Sequence, residues 1–428
     1  MSGYARAAHA LGARVSGSDR ADSPYLERLR AEGVLTASLG HAATNVPKGE
    51  NVEVVYSSAI APENPEREAA RERGLRERPR AELLGELSAL RRTIAVAGTH
   101  GKTTTSAMLV HALRGAGLHP GWLVGGEVGG GLPNAQWEEG EWLVVEADES
   151  DRSMLSLTVE IAVVTNVELD HHATYASLAE LREVFRAFLA AAPKAVVWDR
   201  PELLALGGPA LVPYDAPDPQ LTAGERSKIE QRFAWHEHEV RLAVPGAHNA
   251  LNASGALEAA RLAGADIRGA IAGLAAFHGA ERRFQLLGEG PGGAVLYEDY
   301  AHHPTEIEAT LKAARTLVHQ RLVAVFQPHL YSRTEQLARE LGQALALADV
   351  VALTDIYPAR ERAEDHPGVG GLMVAEAAAD AARGRAVYWL PTFAQAEPVL
   401  RTVLRCGDLC LLMGAGDINA LGRRLVSA

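Results

Sequence analysis

The chain has 428 residues, 47% of them hydrophobic and 22% charged, with a formal net charge of −12 at pH 7. That length exceeds a single hydrophobic core and predicts several domains of ordinary globular composition. The acidic balance argues against nucleic acid held by a general basic surface, and no apolar run approaches the roughly 20 residues of a bilayer span, so no membrane insertion is expected.

The N-terminus shows no apolar signal core, so a cytoplasmic location is expected. The two cysteines, Cys406 and Cys410, give neither a disulfide framework nor the second pair of a zinc site. They read as small buried residues near a C-terminal strand.

In chain order, apolar runs ending in turn residues alternate with amphipathic stretches, the pattern of an α/β protein with mainly parallel sheets. Residues 1–90 carry short strands in ARVSGSD and VEVVYSSAI, with a helix in SPYLERLRAEG between them. The arginine-rich PEREAARERGLRERPRAELLGELSALRR reads as a solvated helical region. Residues 91–284 hold buried strands in RTIAVAG, EWLVVEA, IAVVTNV and KAVVW. Residues 285–428 hold strands in GAVLYEDY, LVAVFQ, DVVALTDIY, AVYWL and DLCLLMGAGD, separated by helices such as PTEIEATLKAARTL.

VAGTHGKTTTSAM, Val96–Met108, has the strand, glycine turn and helix of a phosphate loop, although Val96 stands where the first glycine of the usual pattern belongs. Loop amides and the helix N-terminus would face phosphates, Lys102 would reach the terminal phosphates and Thr103 would touch magnesium. The plain alternative is a structural turn with a solvated lysine. WLVVEADESD puts Glu146 at a strand end, with Asp148, Glu149 and Asp151 behind it. These read equally as magnesium ligands or as a solvated acidic loop.

VVTNVELDHHATY repeats the design with Asp170, His171 and His172, which suit a second metal, a substrate or a structural role. Asn249 and Asn252 share a face in the first turn of a helix, where amides can hold a nucleotide or cap the helix. Arg282, Arg283, Asp299, His302, His303, His329 and Arg333 fall just beyond strand ends, where open α/β sheets bind ligands. A helix is expected to start at Pro304.

At these residues the chain resembles the Mur ligase family, ATP-dependent amide ligases of peptidoglycan assembly. GTHGKTT is similar to that family's phosphate loop, which lacks the first glycine. VSGSD, SSAI, EADESD, HNALNA, RRF, DYAHHPTEI, FQPH, DIYPA and GAGD resemble further signatures in the family's order, along essentially the whole chain. The resemblance implies three α/β domains: a Rossmann-like N-terminal domain for the UDP-sugar, a central phosphate-loop ATPase-type domain and a Rossmann-like C-terminal domain for the amino acid.

The implied reaction joins L-alanine to UDP-N-acetylmuramate. The muramoyl carboxylate attacks the ATP γ-phosphate, and the amine then displaces phosphate from the acyl phosphate. The resemblance implies that Gly98, Thr99, His100, Gly101, Lys102, Thr103, Thr104, Asn249 and Asn252 bind ATP. Thr103 and Glu146 would hold one magnesium ion and His171 a second. Arg283 would meet the phosphates, Asp299 and His302 would complete the closed site, and Arg333 with His329 would receive the amino acid. Ser18, Asp19, Ser57 and Ser58 would contact the UDP-sugar. With no lysine between Lys102 and Lys194, a carbamylated lysine near the second metal is not expected. A monomer or homodimer is expected. The family pattern begins with a strand and a glycine-rich turn ahead of MSGYARAAHALG, so an upstream segment supplying both is expected.

Overall fold

The computed structural model describes residues 1–49, 51–171, 174–216, 219–222 and 229–426. Two compact units form, one from residues 1–168, 179–214 and 255–273, the other from residues 169–178, 215–254 and 274–428.

In the first unit, β1 (Val15–Asp19) pairs in parallel with β2 (Leu35–Leu39), and β3 (Glu53–Tyr56) with β4 (Arg76–Pro79). The arginine-rich stretch is therefore not one helical region. It is a helix, Pro65–Glu72, then the strand β4, then a second helix, Arg80–Ala89. Pairing with β3 overrides local helix preference there, and Arg78 is buried against Glu53 and Glu86.

The large sheet of this unit contains β5 (Arg92–Ala97), β6 (Gly121–Leu123), β7 (Ala135–Gln136), β8 (Trp142–Glu146), β9 (Ile161–Val164), β10 (Lys194–Trp198) and β11 (Leu211–Tyr214). Their spatial order is β11-β10-β9-β5-β8-β6-β7, and β7 alone among them runs antiparallel. Strands β5, β8 and β9 are central and read as near-continuous apolar runs because their residues are buried on both faces. The short strands β6, β7 and β11 have too few residues to show a pattern in the sequence.

The second unit has a three-stranded antiparallel sheet, β12 (Gln220–Thr222), β13 (Glu230–Trp235) and β14 (His238–Leu242), that was not expected from the sequence. Its other sheet is β15 (Gln285–Glu289), β16 (Val295–Asp299), β17 (Arg321–Phe326), β18 (Val350–Leu353), β19 (Ala386–Trp389) and β20 (Asp408–Met413), in the order β15-β16-β20-β17-β18-β19. Only β15 is antiparallel within it. One core layer joins Leu322, Phe326, Leu345 and Leu411, the opposite layer Val323, Val325, Leu400 and Leu421. Cys410 is buried on β20, whereas Cys406 is exposed in the preceding turn, which corrects the expectation of two buried cysteines.

Both large sheets direct their strand ends toward loops rich in polar residues. In the first unit these loops are Gly98–Gly101 and Ala147–Ser153, and in the second Tyr300–His303 and Gln327–Leu330. Among the described residues no helix is long and apolar enough to cross a membrane.

Candidate active site

In the first unit, β5 is buried from Thr93 onward and ends at Ala97, where Gly98 opens the turn. Gly98 has φ 138°, and a Cβ there would stand 2.0 Å from Thr165 Oγ1, so only glycine fits. The residues after β9 clamp this turn. Asn166 Oδ1 accepts from the His100 amide at 2.8 Å, and Thr165 Oγ1 donates to the His100 carbonyl at 2.6 Å. Thr99 Oγ1 donates to the Glu168 carbonyl at 2.9 Å. His100 Nε2 lies 3.4 Å from Glu168. The sequence pointed to Gly98–Thr104 but not to Thr165 and Asn166. Their signal was the neighbouring strand IAVV, whose pairing with β5 carries TN alongside the loop.

Gly101, at φ 82°, caps the helix Lys102–Gly115. Its first-turn amides and dipole make the N-terminus an anion site. Lys102 Nζ folds back to the Gly98 carbonyl at 2.6 Å and to Glu149 Oε2 at 2.9 Å. Burial alone would lower the lysine pKa, but Glu149, with Asp148 and Glu146, raises it, so the ammonium stays charged. Thr103 Oγ1 donates to Glu146 at 3.0 Å, and the Gly125 amide donates to the same carboxylate at 2.7 Å. Thr104 is buried in the first turn.

The four carboxylates of EADESD thus take separate partners. Glu146 meets Thr103, Glu149 meets Lys102, and Asp148 and Asp151 both meet Arg80, at 3.0 and 2.6 Å. Burial would raise Asp148, yet Lys102, the Ser150 hydrogen bonds and Arg80 bring it down to about 2. The Thr103 hydroxyl and the Glu146 carboxylate, converging beside the Gly98–Gly101 turn, form an all-oxygen donor set that suits magnesium.

The candidate sugar-nucleotide residues lie elsewhere in this unit. Ser18 and Asp19 end β1, and Ser18 Oγ donates to Glu66 at 2.8 Å with His41 Nδ1 at 2.9 Å. Ser57 and Ser58 form the turn after β3.

The second unit gathers its own cluster. Arg333 Nη2 donates to Asp170 Oδ1 and Oδ2 at 3.0 and 3.1 Å, and its Nη1 meets His329 Nδ1 at 2.9 Å. Burial would raise Asp170, but Arg333, with His171 and His302, holds it well below the usual carboxylate range. An incoming carboxylate at Arg333 has to compete with Asp170. His171 follows directly, at φ 55°, with its amide on Asp170. His172 lies outside the described residues.

His302 Nδ1 contacts the Tyr300 carbonyl at 3.0 Å and Glu306 at 3.2 Å, and its ring meets that of His329 edge-on at 5.9 Å. Burial lowers His302 to about 3 and His329 to about 4. His303 caps the helix that starts, as expected, at Pro304.

Asp299 is buried, and its two oxygens accept the amides of Phe284 and Ala301 at 2.8 and 2.7 Å. It therefore fixes the Arg282–Phe284 bend. Arg283 lies over the Tyr300 ring and 3.8 Å from Glu306. Asn249 and Asn252 are both buried, and Asn249 Nδ2 bonds the Pro245 carbonyl at 2.7 Å. Sequence reasoning missed Glu306, which touches both His302 and Arg283.

Three family descriptions match the chain. "Mur ligase family, catalytic domain" matches residues 1–92, "Mur ligase middle domain" residues 96–260 and "Mur ligase, glutamate ligase domain" residues 282–416. The UDP-N-acetylmuramate–L-alanine ligase of Kineococcus radiotolerans is 44% identical across all of this chain and 93% of its own length. That of Rubrobacter xylanophilus is 42% identical, with 100% and 97% covered. Among solved structures, the UDP-N-acetylmuramate-alanine ligase of Thermotoga maritima superposes with a TM-score of 0.83 at 26% identity, covering 100% of this chain and 96% of that one.

Proposed function

We propose, from the premise that this chain belongs to the Mur ligase family, that it joins L-alanine to UDP-N-acetylmuramate with conversion of ATP to ADP and phosphate, in peptidoglycan synthesis. The observation that carries this reading is the full-length likeness to ligases of that name, together with a phosphate loop whose lysine, threonine and strand-end carboxylate stand in one cluster.

In this reading residues 1–90 take the nucleotide sugar, 91–284 take ATP and 285–428 take the amino acid. The muramoyl carboxylate oxygen attacks the γ-phosphorus, the β–γ bridge breaks, and ADP departs. The uncharged L-alanine amine then attacks the acyl carbon, and the phosphate leaves with the bonding pair. Lys102 neutralises charge on the transferring phosphoryl group, and the helix N-terminus orients the phosphates. Thr103 and Glu146 would hold magnesium, with His171 assigned to a second ion. The ions would offset charge between the two approaching anions.

Arg333 and His329 orient the amino acid, and Arg283, Asn249 and Asn252 are assigned to the ATP side. Asp299 acts by fixing the bend that bears Arg283. His302, on the loop after β16 beside Glu306, is assigned to complete the closed site. A cytoplasmic monomer or homodimer goes with this reading.

Phosphate release measured with ATP, UDP-N-acetylmuramate and single amino acids tests it. Release that requires the nucleotide sugar and L-alanine is expected. Release driven by a tripeptide in place of L-alanine would overturn the assignment.

A further inference from the structure

We propose that Arg80 is a positioning residue for the nucleotide loop: it turns Asp148 and Asp151 away from the phosphates and fixes the strap that brings Glu146 to Thr103 and Glu149 to Lys102. The proposal rests on the reading of Gly98–Thr104 as the ATP site. Arg80 opens the helix Arg80–Ala89, directly after β4, and is 68 and 71 residues from its two partners. Nothing in the local sequence pairs them.

The geometry divides labour between the oxygens of each aspartate. Asp148 Oδ1 accepts the Ser150 amide at 2.9 Å and Asp151 Oδ1 accepts the Ser153 amide at 3.1 Å, which shapes the strap. The Oδ2 atoms of both face Arg80, whose Nη2 reaches each, at 3.0 and 2.6 Å, while its Nε adds a bond to Asp151 at 3.1 Å. A guanidinium fork can hold two carboxylates in fixed directions, which an ammonium does not. Between them in sequence, Glu149 is fully buried on Lys102. The strap's shape and the lysine's position are thereby linked.

Charge gives the second reason. Four carboxylates lie within Glu146–Asp151, and a polyanionic nucleotide has to bind beside them. Glu146 and Glu149 are matched by groups of the phosphate loop itself. Asp148 and Asp151 add carboxylates at short range, where the local dielectric is low, and the single charge of Arg80 offsets part of that burden.

The test compares wild type, R80K, R80Q and R80Q/D151N as full-length proteins. Calorimetry with ADP or a non-hydrolysable ATP analogue gives affinity, and steady-state kinetics give KM for ATP and for L-alanine separately. R80Q is expected to weaken nucleotide binding by about 10-fold or more, the loss of charge-assisted hydrogen bonds. KM for L-alanine should stay within about two-fold, because the partners of Arg80 are Asp148 and Asp151, on the loop assigned to ATP. R80K should fall between wild type and R80Q. Removing one carboxylate in R80Q/D151N should recover part of the affinity. Nucleotide affinity equal to wild type in folded R80Q overturns the proposal. So does a loss that is equal for every substrate and unrelieved by D151N, which marks a general folding defect. If R80Q fails to fold, R80K and R80Q/D151N decide by the same two comparisons. Wild-type protein that binds no adenine nucleotide overturns the ATP reading itself, a distinct result.

Discussion

Arg333 grips both oxygens of Asp170, at 3.0 and 3.1 Å, in an ion pair whose side chains are 4% and 5% exposed. Removing one partner leaves a buried charge without its match. Asp170→Asn or Arg333→Met alone should therefore destabilise by about 3–5 kcal/mol, and the double variant by less than the sum. Urea unfolding of the three proteins checks this. Additive losses would show that the pair is not coupled.

Lys102→Ala is expected to reduce turnover by at least about 100-fold, through lost stabilisation of the transferring phosphoryl group. It also removes the ammonium that Glu149 meets at 2.9 Å, and Glu149 has no exposed side-chain surface, so the melting temperature should drop as well. Lys102→Ala/Glu149→Gln should regain stability and stay inactive. Thermal melts beside phosphate-release assays separate the two effects. Turnover within a few-fold of wild type in a folded variant would sink the assignment.

Glu146→Gln should raise the magnesium concentration needed for half-maximal activity, because the charge facing Thr103 is gone. Glu149→Gln should instead lower stability and nucleotide affinity through Lys102, with a smaller change in magnesium dependence. Magnesium titration of both variants decides between these carboxylates. A raised requirement in Glu149→Gln alone would move the ligand to Glu149.

Acid lability should come first from histidines. Burial is the main cause that lowers His248 to about 4, His302 to about 3 and His329 to about 4. The unfolded chain then binds more protons than the folded one below the ordinary histidine value. The stability these groups contribute is present above about pH 6.5 and is lost as pH falls toward their folded values. Each accounts for at most about 1.4 kcal/mol per pH unit in that window. Asp148 and Asp170, held low, add their loss only below the ordinary carboxylate value. The urea midpoint should fall between about pH 7 and about pH 5, and His248→Asn should shrink that fall. An equal fall with His248→Asn would remove His248 from the account.

The sequence by itself determined the parts that depend on neighbours in the chain. The glycine turn and helix of Gly98–Gly115, the central strands β5, β8 and β9, and the helix start at Pro304 follow from apolar periodicity, turn residues and proline geometry. These signals are local, so one sequence suffices to read them. The tertiary structure alone decided how polar groups were shared. EADESD offered four equivalent carboxylates, and only the approach of Arg80, Lys102 and Thr103 gave each a partner. Arg333 was legible as a site residue, but its pairing with Asp170 spans 163 positions and depends on how the fold brings those segments together. RERP reads as helix from its arginines and glutamate, and became a strand because β3 supplied hydrogen bonds that the isolated segment lacks. Long-range pairing is fixed by sheet order and burial, and a buried charge accepts whichever opposite charge the fold brings within reach.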